Sequence, residues 1–238
     1  MKKIILIIAY IFLSNSFNSF AQISSIKTVV TLTGSVLSDV NHKPVSCEIE
    51  AYDESGKRVY KGKSNAAENG YYFITGLKPG EKYSINFVDM NYLRMKQVVE
   101  LPVTDKYTEF SHDFLVIPKV IGSEIKLHIP PFELNKGRLR YGIEDYLNTF
   151  KEIVKMNVKL NLDVVCYPDN DENESENQKL TEERGKSLKA FLIAAGVDPL
   201  KINIKSMSKT DPKNPPPIKK QAKGKRYIGT SYLIVTAC

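Results

Sequence analysis

Apolar and polar residues alternate in short runs through the first half of the chain. Alternation with a period of two is typical of strands that bury one face, and Gly or Asn between the runs permits the positive φ of tight turns. Such turn sequences include Asn69-Gly70 and Lys78-Pro79-Gly80. The seven runs cover residues 29–37, 47–52, 58–61, 71–74, 83–87, 96–101 and 110–117. Short strands at this spacing predict an all-β sandwich.

The pattern changes to a helical period after Pro130-Pro131, which ends any regular element. Apolar residues recur at intervals of three and four between positions 139 and 154, and again between 180 and 195. This spacing predicts two amphipathic helices, the first of about 18 residues. Strands are predicted at 158–165, 202–204 and 232–235, and a Pro- and Lys-rich loop at 211–225. We therefore expect an α+β domain with helices packed on one face of a mixed sheet.

The start of the chain has the features of a secretory signal peptide. Lys2 and Lys3 precede an apolar run at 4–13, and the small-residue site Ser19-Phe20-Ala21 follows. The run has about ten residues, whereas a membrane-spanning helix needs about 20, so a retained anchor is the less favoured alternative. We expect a mature protein of the periplasm, associated with the cell wall or outer membrane, without a transmembrane segment. The predicted organisation is a signal peptide at 1–21, a sandwich at 22–118, a linker at 119–131 and the α+β domain at 132–238.

Positive charge is concentrated in the second half. Residues 118–238 hold 21 Lys and Arg against 15 Asp and Glu, within a net charge of +7 for the whole chain. Nucleic acid is not expected as a partner, because an exported protein rarely meets it and the Lys residues are not interleaved with stacking aromatics. The charge instead suits solubility or attraction to an anionic envelope polymer.

The three cysteines, Cys47, Cys166 and Cys238, are an odd number for an oxidising compartment. Cys166 and Cys238 share the predicted second domain and are the first candidate disulfide, with three unpaired thiols as the alternative. The sequence has no Cys/His cluster with the spacing of zinc ligands, so no metal or cofactor is expected. It also has no Ser–His–acid arrangement and no Gly-rich phosphate loop, which favours a protein that is not an enzyme.

Arg184 lies four residues from both Leu180 and Leu188 and so shares the apolar face of the second predicted helix. A guanidinium on a buried face needs an anionic partner, because an unpaired buried charge is strongly destabilising. Asp169 follows the end of the preceding strand and is the nearest acid by topology. Two interpretations remain open: an ion pair that fastens helix to sheet, or a pair of charges that binds a ligand.

Several short segments of the first half occur in a recognisable order. They are Gly34-Ser35-Val36, Lys43-Pro44-Val45, Asn69-Gly70-Tyr71-Tyr72-Phe73 and Gly76-Leu77-Lys78-Pro79-Gly80-Glu81-Lys82-Tyr83. The first half thereby resembles the carboxypeptidase regulatory-like (transthyretin-like) module. That resemblance implies a β-sandwich without catalytic machinery, which serves as a spacer, a folding aid or a docking surface for a partner.

The second half carries a spaced signature. It consists of Asp169, ten residues, Leu180-Thr181, two residues, Arg184-Gly185, two residues, Leu188, three residues and Leu192. It resembles the OmpA-like peptidoglycan-binding domain, whose signature is T-D, ten residues, L-S, two residues, R-A, two residues, V, three residues, L. Further agreement comes from Asn177 before the second helical stripe and Lys225-Arg226 before the last strand.

Three positions depart from that signature. Pro168, Gly185 and Gly224 stand where the family has Thr, Ala and Asn. Pro168 removes a hydroxyl and a backbone N–H donor, and Gly185 is expected to cost about 1 kcal/mol in a helix. Both charges of the signature are kept, while the hydrogen-bond donors around them are fewer.

The resemblance implies non-catalytic binding of diaminopimelate in the stem peptide of Gram-negative peptidoglycan. Diaminopimelate ends in an ammonium and a carboxylate on one carbon, so the resemblance assigns the ammonium to Asp169 and the carboxylate to Arg184. The supporting residues that it implies are Asn177, Leu180, Thr181 and Arg226. The expected partners are peptidoglycan and another envelope protein that docks on the sandwich.

Two alternatives to wall anchoring remain. One is a scaffold or interaction subunit of an envelope secretion or motility assembly, in which the wall-binding site is degenerate. The other is a cell-wall hydrolase or accessory peptidase, which only the carboxypeptidase-type module suggests and for which the sequence offers no catalytic constellation.

Overall fold

The computed structural model describes residues 28–217 and 227–238. The predicted signal peptide at 1–21 and the supporting residue Arg226 lie outside them. Within the described residues the chain forms three four-stranded sheets and two α-helices, so the protein is mostly β. Neither of these two helices combines the length and the apolar character that crossing a bilayer requires.

The first two sheets are built from the strands between residues 30 and 116. These strands are β1 (Val30–Ser38), β2 (Glu48–Tyr52), β3 (Arg58–Lys63), β4 (Tyr71–Leu77), β5 (Lys82–Phe87), β6 (Met95–Glu100), β7 (Thr108–Ser111) and β8 (Phe114–Val116). One sheet has the order β4-β1-β7, with β8 also paired to β1, and the other has the order β3-β2-β5-β6. The structure confirms strands at each of the predicted runs.

The apolar half of the alternating pattern forms the core between these sheets. Along β5, Tyr83, Ile85 and Phe87 are buried, while the residues between them are more exposed. The Phe87 ring lies 5.2 Å from the Phe114 ring of β8, edge to face. Full burial of one such side chain stabilises the fold by about 1.5–3 kcal/mol. Burial of the apolar residues of the alternating pattern therefore holds the two sheets together.

The run predicted as one strand at 110–117 is divided into β7 and β8. Between them the chain approaches Gly34 so closely that an added Cβ would lie 2.1 Å from the carbonyl oxygen of His112. Gly34 has φ 147°, and the Asp113 carboxylate accepts a hydrogen bond from the N–H of Ser35 at 2.8 Å. A glycine contact between distant segments therefore fixes this bend, and alternation along the chain cannot reveal it.

The third sheet is mixed and follows in the second half of the chain. Its strands are β9 (Glu124–Lys126), β10 (Asn161–Cys166), β11 (Ile202–Ser206) and β12 (Ser231–Ala237), in the order β11-β10-β12-β9. Strand β10 is parallel to β11 and antiparallel to β12. Helices α1 (Glu144–Met156) and α2 (Glu174–Ala194) bury their apolar residues in the core, and α2 packs against β10 and β11.

Two predictions for this region are wrong in part. The predicted linker at 119–131 contains β9, which pairs with β12 as an edge of the third sheet. The first helix was expected from position 139, but it begins at Glu144 and has 13 residues. Gly142 has φ 75°, and Leu139 forms a bridge with Phe132 instead of a helical turn.

Asn157, which follows α1, connects the helix to the second of the three sheets. Its Oδ1 accepts a hydrogen bond from the N–H of Arg94 at 3.0 Å, and its Nδ2 donates to the Arg94 carbonyl at 2.9 Å. The same Nδ2 donates to the carbonyl of Ile153 at 2.7 Å. Asn157 is only 7% exposed, so its side chain forms the bond to Ile153 in a buried setting and the two bonds to Arg94 in a part-buried one.

Candidate functional site

The predicted charge pair lies where the end of β10 faces the first half of α2. Asp169 comes three residues after β10, and Arg184 lies in the middle of α2. The helix begins at a fixed point because the Asn173 side chain accepts hydrogen bonds from the N–H groups of Ser175 and Glu176. An Asn cap of this kind satisfies backbone donors that a helix N-terminus leaves free.

Arg184 and Asp169 form a buried, bidentate ion pair. Arg184 Nη1 lies 2.8 Å from Asp169 Oδ1, and Arg184 Nη2 lies 2.8 Å from Asp169 Oδ2. The two side chains are 0% and 1% exposed. A parallel pair of charge-assisted hydrogen bonds is the strongest geometry that a guanidinium and a carboxylate can adopt. Asp169 is thus the anionic partner of Arg184 in the structure, which is the arrangement expected of an ion pair that fastens helix to sheet.

Backbone carbonyls take the remaining N–H groups of Arg184. Its Nε donates to Lys136 at 3.0 Å, Nη1 donates also to Tyr167 at 3.2 Å, and Nη2 donates also to Glu133 at 3.2 Å. The guanidinium carbon lies 5.1 Å from the centre of the Phe132 ring, within reach of a cation–π interaction. A guanidinium has five N–H donors, and here each has an acceptor.

The Asp169 carboxylate is equally well satisfied. Besides Arg184, it accepts hydrogen bonds from the N–H of Asn135 at 2.8 Å and from the N–H of Gly229 at 2.7 Å. An added Cβ on Gly229 would lie 2.0 Å from the carbonyl oxygen of Tyr167, so only glycine permits this approach. A ligand that binds these two charges must therefore replace hydrogen bonds that the protein already makes.

The supporting residues hold the loops around the pair. Asn177 donates to the carbonyls of Asn170 at 2.7 Å and Ser208 at 3.0 Å. The Thr181 hydroxyl lies 3.0 Å from the carbonyl oxygen of Asn177 and 2.9 Å from that of Met207, and its single hydrogen can be donated to either. Both side chains are buried, whereas Leu180 is half-buried. Their described contacts fix the chain on either side of α2 and do not reach the ion pair.

Asp211 is a buried acid that the sequence did not single out. It is fully buried, and it accepts hydrogen bonds from the side chains of Thr230 at 2.6 Å, Tyr232 at 2.5 Å and Asn214 at 2.9 Å. Burial raises the pKa of this carboxyl, but the hydrogen bonds outweigh it and lower the pKa below the ordinary value. Asp211 thus fastens the loop after β11 to β12, beside the Gly229 N–H that Asp169 uses. The sequence does not indicate this network, because nothing distinguishes a single Asp in a Pro- and Lys-rich segment from an exposed loop residue.

The predicted disulfide between Cys166 and Cys238 is contradicted, and all three cysteines are free. In the antiparallel pairing of β10 with β12, Cys166 lies opposite Ser231 while Ala237 lies opposite Asn161. Cys238 is therefore about six strand residues away, roughly 20 Å at about 3.4 Å per residue, whereas a disulfide requires Cα atoms within about 7 Å. Burial raises the pKa of the Cys166 thiol to about 11, which keeps it protonated.

Gly185, one of the departures from the family signature, allows α2 to approach the sheet. A Cβ at this position would lie 2.4 Å from Cγ2 of Ile204 on β11. The expected cost of glycine in a helix is therefore offset by a closer contact between α2 and β11. The missing side chain of Gly185 thus leaves room for the branched side chain of Ile204.

The ion pair thus occupies the signature positions, on a strand end and a helix of a mixed α+β sheet. Residues 131–226 match the model of the OmpA family. This OmpA-matching segment includes Asp169, Asn177, Thr181 and Arg184. Among curated proteins no relative matches the sequence.

Comparison with solved structures yields distant likenesses. The periplasmic domain of Helicobacter pylori MotB (residues 78–256) has 17% identity and a TM-score of 0.41, over 51% of this chain and 81% of that one. The OmpA-like domain of FopA1 from Francisella tularensis has 16% identity and a TM-score of 0.34, over 49% of this chain and 74% of that one. The Bacillus anthracis TIE protein has 20% identity and a TM-score of 0.31, over 37% of this chain and only 16% of that one. Likenesses this weak carry no inference about function.

Proposed function

We propose that the protein is a non-catalytic, peptidoglycan-binding protein of the periplasm, which holds the wall through its OmpA domain. The observation that carries the proposal is the Arg184–Asp169 pair, which stands at the signature positions within the segment that matches the OmpA family. The part of the chain that the structure describes contains no group of His, Cys, Asp and Glu able to hold a metal ion.

The proposed ligand is the diaminopimelate of the stem peptide. Its free end is a zwitterion, so it can exchange with the internal pair without leaving a bare charge: the ammonium replaces Arg184 at Asp169, and the carboxylate replaces Asp169 at Arg184. After this exchange Asp169 and Arg184 each still have a charge-assisted hydrogen bond, which contributes about 1.5–3 kcal/mol. A ligand with only one of the two charges would leave either Asp169 or Arg184 unpaired in a buried site, which is strongly unfavourable.

The first two sheets are proposed to form the carboxypeptidase regulatory-like module and to dock another envelope protein. Support comes from the two packed β-sheets between residues 30 and 116 and from the segments that resemble the module. In this arrangement the OmpA domain holds the wall while the sandwich carries the partner. Asn157 keeps the two in contact through its hydrogen bonds to Arg94.

Co-sedimentation with purified sacculi tests the wall-binding proposal without any substitution. We expect the purified mature protein, residues 22–238, to pellet with sacculi that contain diaminopimelate and to stay in solution with sacculi that contain lysine at the same position. Lysine lacks the second carboxylate, so it cannot satisfy Arg184. Equal pelleting with both kinds of sacculi would show that the wall is bound elsewhere.

A second candidate function has an observation of its own. Every N–H group of Arg184 already has a protein acceptor, as a purely structural ion pair would. This saturation favours a scaffold subunit of an envelope assembly with a degenerate wall-binding site. That candidate predicts no pelleting with either kind of sacculi, together with a stable complex with a protein partner.

A further inference from the structure

A pocket of about 410 Å³ lies on the outer face of the sheet β3-β2-β5-β6. We call it the sheet-face pocket and define it by Tyr52, Asp53, Gly56, Ser84, Asn86 and Lys96. Its volume falls within the range of about 300–1,000 Å³ that is typical of small-molecule sites. It is remote in sequence from the OmpA domain and from the Arg184–Asp169 pair.

Two side chains of β5 form the floor of this pocket. Ser84 lies opposite Tyr52 on β2 and Val98 on β6. Asn86 lies opposite Glu50 on β2 and Lys96 on β6. Ser84 and Asn86 are two residues apart on one strand, so both project from the same face of the sheet.

Ser84 Oγ and Asn86 Oδ1 are buried, and no described residue forms a hydrogen bond with either atom. A buried polar atom without a partner destabilises the fold, whereas an apolar side chain of similar shape carries no such penalty. Two such atoms next to each other in one pocket weaken the sheet without a structural benefit. A ligand that supplies hydrogen-bonding groups to the pocket accounts for them.

One wall of the pocket is rigid before any ligand arrives. The Asp53 carboxylate accepts hydrogen bonds from the Ser55 hydroxyl at 2.6 Å and from the N–H groups of Ser55 at 3.0 Å and Lys57 at 2.9 Å. Gly56 completes this turn between β2 and β3 with φ 79°. A wall that is held in place loses little conformational entropy when a ligand binds.

The chemistry of the lining restricts the ligand. Hydroxyl, amide and ammonium groups from Ser84, Asn86 and Lys96 stand beside the apolar surfaces of Tyr52 and Val98, the latter 63% exposed. Strand β5 is an interior strand whose backbone pairs with β2 and β6, so an extended peptide cannot add to it. A compact ligand that both donates and accepts hydrogen bonds around an apolar ring face fits this lining, and a sugar ring has that form.

We propose that the sheet-face pocket binds a saccharide ring, whose hydroxyl groups form hydrogen bonds with Ser84 Oγ and Asn86 Oδ1. The site is distinct from the proposed diaminopimelate site and does not depend on it. The side chains next to the two buried atoms on β6 are Lys96 and Val98, both exposed, so they can rotate aside when the ring enters.

Titration of the mature protein with chitotetraose and cellotetraose, followed by heteronuclear NMR, tests this proposal. We expect at least one of the two sugars to cause saturable shifts confined to β2, β5, β6 and the turn at Asp53. Ser84→Ala and Asn86→Leu should each weaken binding at least tenfold while the melting temperature stays the same or rises, because each removes an unpartnered polar atom. A merely structural role for these residues would instead lower the melting temperature.

Ser35→Ala is the matched control, since Ser35 lies on β1 of the other sheet and is half-buried like Ser84. It should leave sugar binding unchanged. The proposal is overturned if neither sugar shifts these residues at millimolar concentration, or if both pocket variants bind sugar as the unaltered protein does. Shifts at the same residues with tetraglycine but with neither sugar would also overturn it and identify a peptide site. Because neither sugar contains a stem peptide, the result is independent of wall binding by the OmpA domain.

Discussion

At the scale of single residues, the contribution of Arg184 to stability depends on which acceptors bind its N–H groups. Two bind the Asp169 carboxylate, and backbone carbonyls of the loop at 133–136 and of Tyr167 accept the others. One side chain thereby joins four segments of the chain: the loop before α1, the end of β10, α2 itself and, through Asp169, Gly229 before β12. Loss of the guanidinium would leave a buried carboxylate and several buried carbonyls without partners.

Substitution of Arg184 should therefore destabilise the fold strongly. We expect Arg184→Lys to lower the free energy of unfolding by about 3–5 kcal/mol, because lysine cannot reproduce the bidentate pair or reach the carbonyls. Lys186→Ala is the control, since the exposed pair between Lys186 and Glu182 should contribute less than about 1 kcal/mol. Urea unfolding of both variants measures the difference. Equal stabilities would show that the ion pair does not hold these segments together.

Gly185 and Ile204 should behave as a coupled pair. In the unaltered protein we expect Gly185→Ala to destabilise by about 1 kcal/mol, because overpacking against Ile204 outweighs the better helix propensity of alanine. In an Ile204→Ala background the same change should stabilise by about 0.5–1 kcal/mol. A double-mutant cycle from thermal unfolding measures the coupling. Additive effects would contradict the close contact.

At the scale of elements, the segment after β11 is organised by Asp211 and not by regular structure. Its carboxylate accepts hydrogen bonds from the side chains of Thr230, Tyr232 and Asn214. Lys126 and Tyr227 in turn donate hydrogen bonds to Asn214. Through Thr230 this network fixes the chain beside Gly229, whose N–H binds Asp169. The loop is thus part of the structure that shapes the charge pair.

The network should make stability depend on pH in the acid range. The pKa of Asp211 is lowered from 3.8 in the folded protein, so its contribution is complete above about pH 4 and is lost as the pH falls through the lowered value. We expect Asp211→Asn to be less stable at pH 7, with the gap closing below pH 4. Urea unfolding at several pH values measures this gap. Asp105→Asn, an exposed control, should show no gap, and a constant gap for Asp211→Asn would contradict the account.

The sequence predicted elements where local pattern decides and failed where distant segments meet. Alternation located the strands of the first two sheets, and helical spacing located α2 with Arg184 on its buried face. The three-residue β9 was missed because so short a run has no period, and its place is set by pairing with β12. The backbone carbonyls that bind Arg184 could not be predicted either, because every residue has such a carbonyl and the sequence does not show which ones face the guanidinium.

At the scale of the whole molecule, Asn157 joins the OmpA-matching segment to the second of the three sheets. Because one side chain satisfies both backbone groups of Arg94, its removal leaves a part-buried N–H and a part-buried carbonyl without this partner. We expect Asn157→Ala to lower the free energy of unfolding by about 2–4 kcal/mol. It should also allow the two parts to unfold in separate transitions, as calorimetry would show. Asn91→Ala, a nearby control whose backbone carbonyl accepts a bond from Lys119, keeps that bond and should unfold in one transition.

We propose that the Arg184–Asp169 pair exchanges with the zwitterion of diaminopimelate. The most direct measurement is an NMR titration of residues 22–238 with meso-diaminopimelate and, in parallel, with cadaverine, which keeps both ammonium groups but has no carboxylate. We expect saturable shifts at Asn135, Asp169, Arg184 and Gly229 with diaminopimelate, because binding replaces hydrogen bonds made by these residues, and no such shifts with cadaverine, which cannot satisfy Arg184. Absence of shifts with diaminopimelate, or equal shifts with both compounds, would contradict this exchange and leave the pair a structural one.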